Sequence, residues 1–193
     1  MNTKSDSPSG AETLLREAGA LLEGHFQLSS GKHSPKYIEK FRLLERPPET
    51  EALCRMIADW ARGMSPALVA GPTTGGVIIS YEVARHLRLR SIFAEKNESG
   101  GTGRSFQRGF EIGHSERVLV VDDVLTTGGS VRDVLDAVRS LGGDIVGVGV
   151  LVDRSAGRVD FGVPLFSCLE LDLPAYPPDD CPLCREGLPL QVT

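Results

Sequence analysis

Residues 118–130 read VLVVDDVLTTGGS. The apolar run Val118 to Val121 has the length and composition of a buried strand. Asp122 and Asp123 follow it, then Val124, Leu125 and the polar segment Thr126, Thr127, Gly128, Gly129 and Ser130. A strand of this kind carries its last residues to the sheet edge where open α/β folds bind ligands. Glycines let the backbone approach an anion. The free N–H groups of a helix beginning near Val131 point at that anion, and the helix dipole favours its charge. With a phosphate seated there, Asp122 and Asp123 lie where the vicinal hydroxyls of an attached sugar would be. The stretch therefore reads as a holder for a ribose 5-phosphate. The plainer alternative is a tight turn capped by two acids, but the succession of strand, acids, threonines and glycines favours the phosphate. Neither GxxxxGKS nor GxxxxGKT occurs, so this is not the Walker arrangement.

The flanking sequence supplies the rest of an α/β fold. Upstream, ALVA (67–70) reads as a short buried strand, GPTTGG as a loop, VIISYEVARHL as a helix and SIFAE as a further strand. Downstream, SVRDVLDAVRSLGG is an amphipathic helix ending at glycines, and DIVGVGVLVDR is another buried strand. Strands without alternation, separated by helices, predict a central, mostly parallel sheet covered on both faces. Residues 11–23 have helical apolar spacing. Residues 47–63 open with prolines and close on glycine, as helices do. Between them, residues 24–44 are rich in Ser, Gly and aromatics and read as a turn between short strands. Residues 96–109 are polar and glycine-rich, too long for an idle connection, and read as a mobile functional loop.

Composition bounds the rest. The 193 residues suit one domain, 11–193, after a polar, disordered leader at 1–10. The net charge of −5, with no basic stripe, argues against a general nucleic-acid binder. No apolar run is long enough for a membrane span, and the leader lacks the core of a signal peptide, so a cytoplasmic location is the expectation. The four cysteines are too sparse for a disulfide framework.

The segment 118–130 resembles the signature of the type I phosphoribosyltransferases, which use phosphoribosyl pyrophosphate with Mg²⁺. The resemblance implies that Asp122 and Asp123 meet the ribose hydroxyls and that residues 124–130 hold the 5′-phosphate. Residues 26–38, FQLSSGKHSPKYI, resemble the hood segment of the orotate branch, which adds Tyr37 and Ile38 to the base contacts. The element order matches from Leu14 to about Leu173, with hood elements expected at about 20–45 and 165–193. AGPTTGG (70–76) resembles the pyrophosphate loop, with Thr73 and Thr74 as contacts, although a plain turn competes for this loop taken alone. Lys96 falls where the family's catalytic lysine lies. In the family the loop after it covers the neighbouring subunit's site, which implies a homodimer with shared active sites. Arg154 follows a strand end, where a guanidinium fork suits orotate's carboxylate and Thr126 stands nearby. A surface salt bridge is its alternative role. Mg²⁺ is expected on the substrate's oxygens, with no protein metal ligands.

The chain departs from the resemblance in three places. Glu95, Gly75 and Ser29 stand where many orotate enzymes carry cations. Arg108 is read as a replacement cation, and Arg104 as a solvated surface charge. Cys181 and Cys184 form a CxxC pair, read as reduced and structural rather than metal-binding, because Cys168 offers only a third ligand and no histidine spacing completes a set. Two rival functions remain at this point: a purine-base phosphoribosyltransferase, which has no need of Arg154, and a regulator that senses phosphoribosyl pyrophosphate.

Overall fold

The computed structural model describes residues 8–28, 30–97 and 103–193. Its centre is a six-stranded sheet in the order β5-β4-β3-β6-β7-β8, where β3 is Leu68–Pro72, β4 Arg90–Lys96, β5 Arg104–Phe106, β6 Arg117–Leu125, β7 Asp144–Asp153 and β8 Leu165–Glu170. All neighbours run parallel except β5, which turns back antiparallel on β4. The α/β class and mostly parallel sheet expected from the sequence are therefore present. Helices α4 (Gly75–Leu87) and α5 (Gly129–Ser140) form the crossovers from β3 to β4 and from β6 to β7, and α3 (Pro47–Ala61) precedes β3.

Alternation along β6 shows how the layers form. Leu119 and Val121 pack with Leu53 and Ile57 of α3 and Ile79 and Val83 of α4. Val118 and Val120 pack on the opposite face with Val131, Val134, Leu135 and Val138 of α5. Successive strand residues face opposite ways, so an unbroken apolar run is what a strand covered on both sides requires. Helix α1 (Pro8–Glu17) adds Ala11 and Leu15 to the α3 side. Cys54 and Cys168 also belong to this core, where burial pushes the Cys54 thiol up to about 12 and Cys168 higher still. Both are inert, and Cys168 offers no third metal ligand to the CxxC pair.

A second, three-stranded sheet stands apart in the order β2-β1-β9, from β1 (Leu21–Gln27), β2 (His33–Ile38) and β9 (Gln191–Val192). Strands β1 and β2 form an antiparallel hairpin, and β9 runs parallel to β1. Short helices α2 (Lys40–Leu44) and α6 (Pro182–Arg185) adjoin it in sequence.

Four sequence expectations need correction. The first helix spans 8–17 rather than 11–23, because Leu21 onward pairs with β2 as a strand. Residues 8–10 of the expected leader are its first turn, and residues 1–7 lie outside the described residues. Residues 165–170 are β8 of the main sheet, so the C-terminal hood elements begin after them. The expected loop 96–109 contains β5, paired to β4 through Lys96 and Arg104, with residues 98–102 outside the described set. Among the described residues, no helix is long and apolar enough to cross a membrane.

Ile57 is fully buried and seated where the glycine backbone of β7 at Gly149 admits it. Ile57→Ala leaves a cavity between α3 and the sheet. It is expected to lower unfolding free energy by about 2–5 kcal/mol. Denaturant titration would show this as a lower midpoint at unchanged slope.

Candidate active site

The sequence folds so that two βα turns meet at one edge. Strands β3 and β6 are hydrogen-bonded neighbours running the same way, so the loops after them emerge side by side. The first leads through Thr73 and Thr74 into α4, and the second through residues 126–128 into α5. Neither helix has a side-chain cap. Their first N–H groups therefore stay available to anions, and both dipoles point the same way. Gly128 takes the left-handed conformation (φ +79°) that turns the chain into α5. Thr126, Thr127, Gly129 and Ser130 are exposed around it, as a phosphate cradle requires. The Thr73–Thr74 peptide bond is cis.

Asp122 and Asp123 lie between these loops, inside β6 rather than after it, and both are buried. The Asp123 N–H donates to Asp122 Oδ1 at 2.8 Å, and the Val124 N–H donates to Asp123 Oδ1 at 2.6 Å. Burial pushes the Asp122 carboxyl up to about 7, and the neighbouring Asp123 charge adds to the rise. The Asp123 N–H bond and the charges of Lys40 and Arg104 oppose it. Lys40 Nζ stands 2.7 Å from Asp123 Oδ2, with its ammonium partly open to solvent.

A Cβ at Gly75 would collide with the Asp123 carboxylate. This accounts for glycine at a position where the family resemblance suggests lysine: the α4 turn packs directly against the acid, and no side chain fits between them.

An open cavity of about 710 Å³ lies over this edge, lined by Lys40, Phe41, Thr73, Thr74, Glu95, Lys96, Arg104 and Ser130. Lys96, Thr73 and Thr74 thus fall where the sequence places them. Arg104 is not a solvated surface charge. Its Nη1 donates to Thr73 Oγ1 at 2.9 Å and to the Ala94 carbonyl at 3.3 Å, and its buried Nε has no hydrogen-bond partner among the described residues. Arg108 does not line the cavity. It forms a fork on Glu95 (2.9 and 2.8 Å), lies near the Phe93 ring, and holds the Glu95 carboxyl below its usual range. Of these two arginines, Arg104 lines the cavity and Arg108 does not. Lys40, which sequence reasoning missed, is the second cation beside the acids.

At the next strand end, the Arg154 N–H donates to the Leu125 carbonyl at 2.8 Å, which fixes Arg154 one residue from the phosphate turn. Its side chain is half-buried, and Nε has no hydrogen-bond partner among the described residues. Desolvation lowers its proton affinity while the nearby Tyr37 phenol acts the other way. A guanidinium nonetheless remains charged. No salt bridge to Arg154, its alternative role, is present among the described residues. Ile38 is buried in the α3-side core, so its side chain cannot meet a base, whereas Tyr37 is left half-buried beside Arg154. Leu125 belongs to the α5-side core, and Val124 packs against the α3-side core. These two can offer a ligand only backbone atoms. Ser29, the hood position lacking the family's lysine, lies outside the described residues.

Residues 43–172 match the phosphoribosyl transferase domain family. This chain belongs to the orotate phosphoribosyltransferase family. It is similar to the orotate phosphoribosyltransferase of Thermotoga maritima, 48% identical over 178 residues, covering 92% of this chain and 94% of that one. It is also similar to that of Pelotomaculum thermopropionicum, 49% identical with 91% of each chain covered. Among solved structures, the orotate phosphoribosyltransferase from Aeropyrum pernix aligns with a TM-score of 0.70 at 30% identity, over 83% of this chain and 93% of that one. The family assignment thus agrees with the resemblance carried by residues 118–130 and 26–38.

The acid pair generates a stability prediction. Asp122 titrates near 7 in the fold and near 3.8 when free, so between these values the folded chain holds a proton the unfolded chain has lost. Stability from this group is full below about pH 4 and is lost as pH rises through about 7. Asp122→Asn removes that charge while keeping an oxygen for the Asp123 N–H. Its melting temperature is expected to exceed the parent's at pH 8 by a margin that shrinks towards pH 4, although binding of the sugar phosphate is lost.

Proposed function

We propose that this chain transfers the 5-phosphoribosyl group of phosphoribosyl pyrophosphate to orotate, giving orotidine 5′-monophosphate and pyrophosphate. The observation that carries the choice of base is Arg154. A half-buried guanidinium with an unpaired Nε, fixed one residue from the phosphate turn and beside Tyr37, suits a planar ring bearing a carboxylate. A purine offers it no anion. The relatives named above, orotate phosphoribosyltransferases by name, support the same reading.

The roles follow from position. The 5′-phosphate sits on the N–H groups and hydroxyls of residues 126–130, and the ribose hydroxyls meet Asp122 and Asp123. The pyrophosphate lies along Thr73, Thr74 and the first turn of α4, with Lys96 and Arg104 on the cavity wall opposite the base. Bond breaking at C1 leaves positive charge on the ribose and negative charge on the pyrophosphate. Cations fixed at the second and carboxylates near the first stabilise both without reorganising. Orotate, held through its carboxylate by Arg154, presents its ring nitrogen to C1 from the other side. The buried carboxylate oxygens at this edge are hard donors of the type Mg²⁺ prefers. A Mg²⁺ ion carried on the substrate's oxygens would neutralise leaving-group charge. We further propose a homodimer with shared active sites. The exposed Ile78 and Tyr81 on α4 are apolar surface suited to such a contact.

Orotate absorbance followed with phosphoribosyl pyrophosphate and Mg²⁺, beside adenine, hypoxanthine and uracil, tests the base. Loss of signal with orotate alone, stopped by chelator, is the expected result, and turnover of a purine would overturn the assignment. Arg154→Ala is expected to lower kcat/KM for orotate at least about 30-fold, the consequence of losing about 2 kcal/mol or more from a buried charge pair. Affinity for phosphoribosyl pyrophosphate should not change. In the parent enzyme, kcat/KM should rise with pH through about 7 as Asp122 ionises, because that ratio reports groups of the free enzyme.

A further inference from the structure

We propose that His25, His33, Cys181 and Cys184 form a tetrahedral zinc site that ties the C-terminal segment to the β1–β2 hairpin. The residues come from three elements: His25 on β1, His33 at the start of β2, and the two cysteines at the cap and within α6. One potential ligand atom from each lies within 4.8 Å of all the others. The histidines and the CxxC pair are about 150 positions apart in sequence, which is why spacing alone left the cysteines with too few partners. The expectation of a merely structural pair is corrected by this convergence.

The distances fit a metal better than a hydrogen-bond network. His25 Nε2 lies 3.0 Å from His33 Nδ1, 3.6 Å from Cys181 Sγ and 3.7 Å from Cys184 Sγ, and Cys184 Sγ lies 3.3 Å from His33 Nδ1. A tetrahedron with zinc bonds of about 2.0–2.1 Å to nitrogen and 2.3 Å to sulfur has edges of about 3.3–3.8 Å. The four measured edges lie in or near that range. Three contacts converge on His25 Nε2, a nitrogen with one lone pair, which can accept only one proton. A cation at the centre would take a single lone pair from each group instead.

The surroundings orient the ligands. His25 Nδ1 lies 2.8 Å from the Leu188 carbonyl. It must carry the proton to donate there, so Nε2 faces the cluster bare, the outer-shell arrangement that metal-binding histidines use. His33 is held by reciprocal main-chain bonds with Tyr176, both 2.8 Å. His25, His33 and Cys181 are almost completely buried, while Cys184 is exposed and gives an ion a way in. Two thiolates and two imidazoles in a tetrahedron favour zinc over harder cations. No disulfide links the cysteines.

The site is independent of the choice of base. Its consequence is mechanical, since it would hold α6 and β9 against the hairpin that carries Tyr37.

The test is metal content of the full-length protein purified under reducing conditions without chelator. About one zinc per chain is expected, together with a lower melting temperature after chelation that added zinc restores. Cobalt(II) added to the metal-free chain should give visible bands of tetrahedral cobalt with thiolate charge transfer. Cys184→Ser, at the exposed ligand, should fold and lose more than about 100-fold in zinc affinity, beyond the loss typical of outer-shell changes. Metal-free wild-type protein that takes up neither ion while its thiols are reduced would overturn the proposal. So would a Cys181→Ser, Cys184→Ser double variant that retains its zinc, or a native Cys181–Cys184 disulfide found by mass.

Discussion

Two carboxylates on consecutive residues, Asp122 and Asp123, are held almost out of water where β6 leaves the core, and much of the surrounding chain answers that electrostatic demand. Neighbouring like charges in a dry site resist joint ionisation. The structure relieves this with backbone donors from the next residues, with Lys40 against Asp123, and with Arg104 within electrostatic reach of Asp122. Glycine at position 75 is part of the same arrangement, because the helix turn that bears an anion must also clear the acid. The two acids are thus held in place by the fold's own donors and cations, and their burial works against the chain's stability at neutral pH.

The distribution of cations shows how one family solution can be rebuilt. Glu95 stands where relatives of this type often carry a positive charge, and it binds Arg108, which does not itself line the cavity, in a two-point fork. The positive wall is supplied instead by Lys40 from α2, Lys96 from the end of β4 and Arg104 from β5. Register explains the switch. Lys96 faces Arg104 across the β4–β5 pair, so both come to the cavity, while Arg108 lies past the end of β5.

Much of this was readable in the sequence. The alternation-free run at β6, its acids and the glycine turn specify the sheet, the edge and the phosphate loop together, because each is a local pattern with a physical cause. Arg154 was singled out as the end of a recognisable strand, whereas Lys96 came from the family resemblance. What escaped depended on pairing between distant segments. Lys40 reaches Asp123 only through the packing of α2 on the core, for which spacing gives no signal. Arg104 and Arg108 share one polar stretch, and only strand register separates them. Ile38 beside Tyr37 could have been set aside from period two alone, since neighbours on a strand face opposite ways. His25 and His33 lie on opposite arms of a hairpin, and their meeting with Cys181 and Cys184 exists only in three dimensions.

The way β9 closes the small sheet bears on the order in which the molecule assembles. β1 lies near the start of the fold, but its parallel partner, Gln191–Val192, is about 165 positions further along the chain. The central sheet uses strands from 68 to 170, so its pairings require neither segment of that pair. Pairings of such long sequence separation come late and slowly. The cover beside Tyr37 therefore depends on a pairing that spans the whole central sheet in sequence, whereas the edge carrying Asp122 and Asp123 does not.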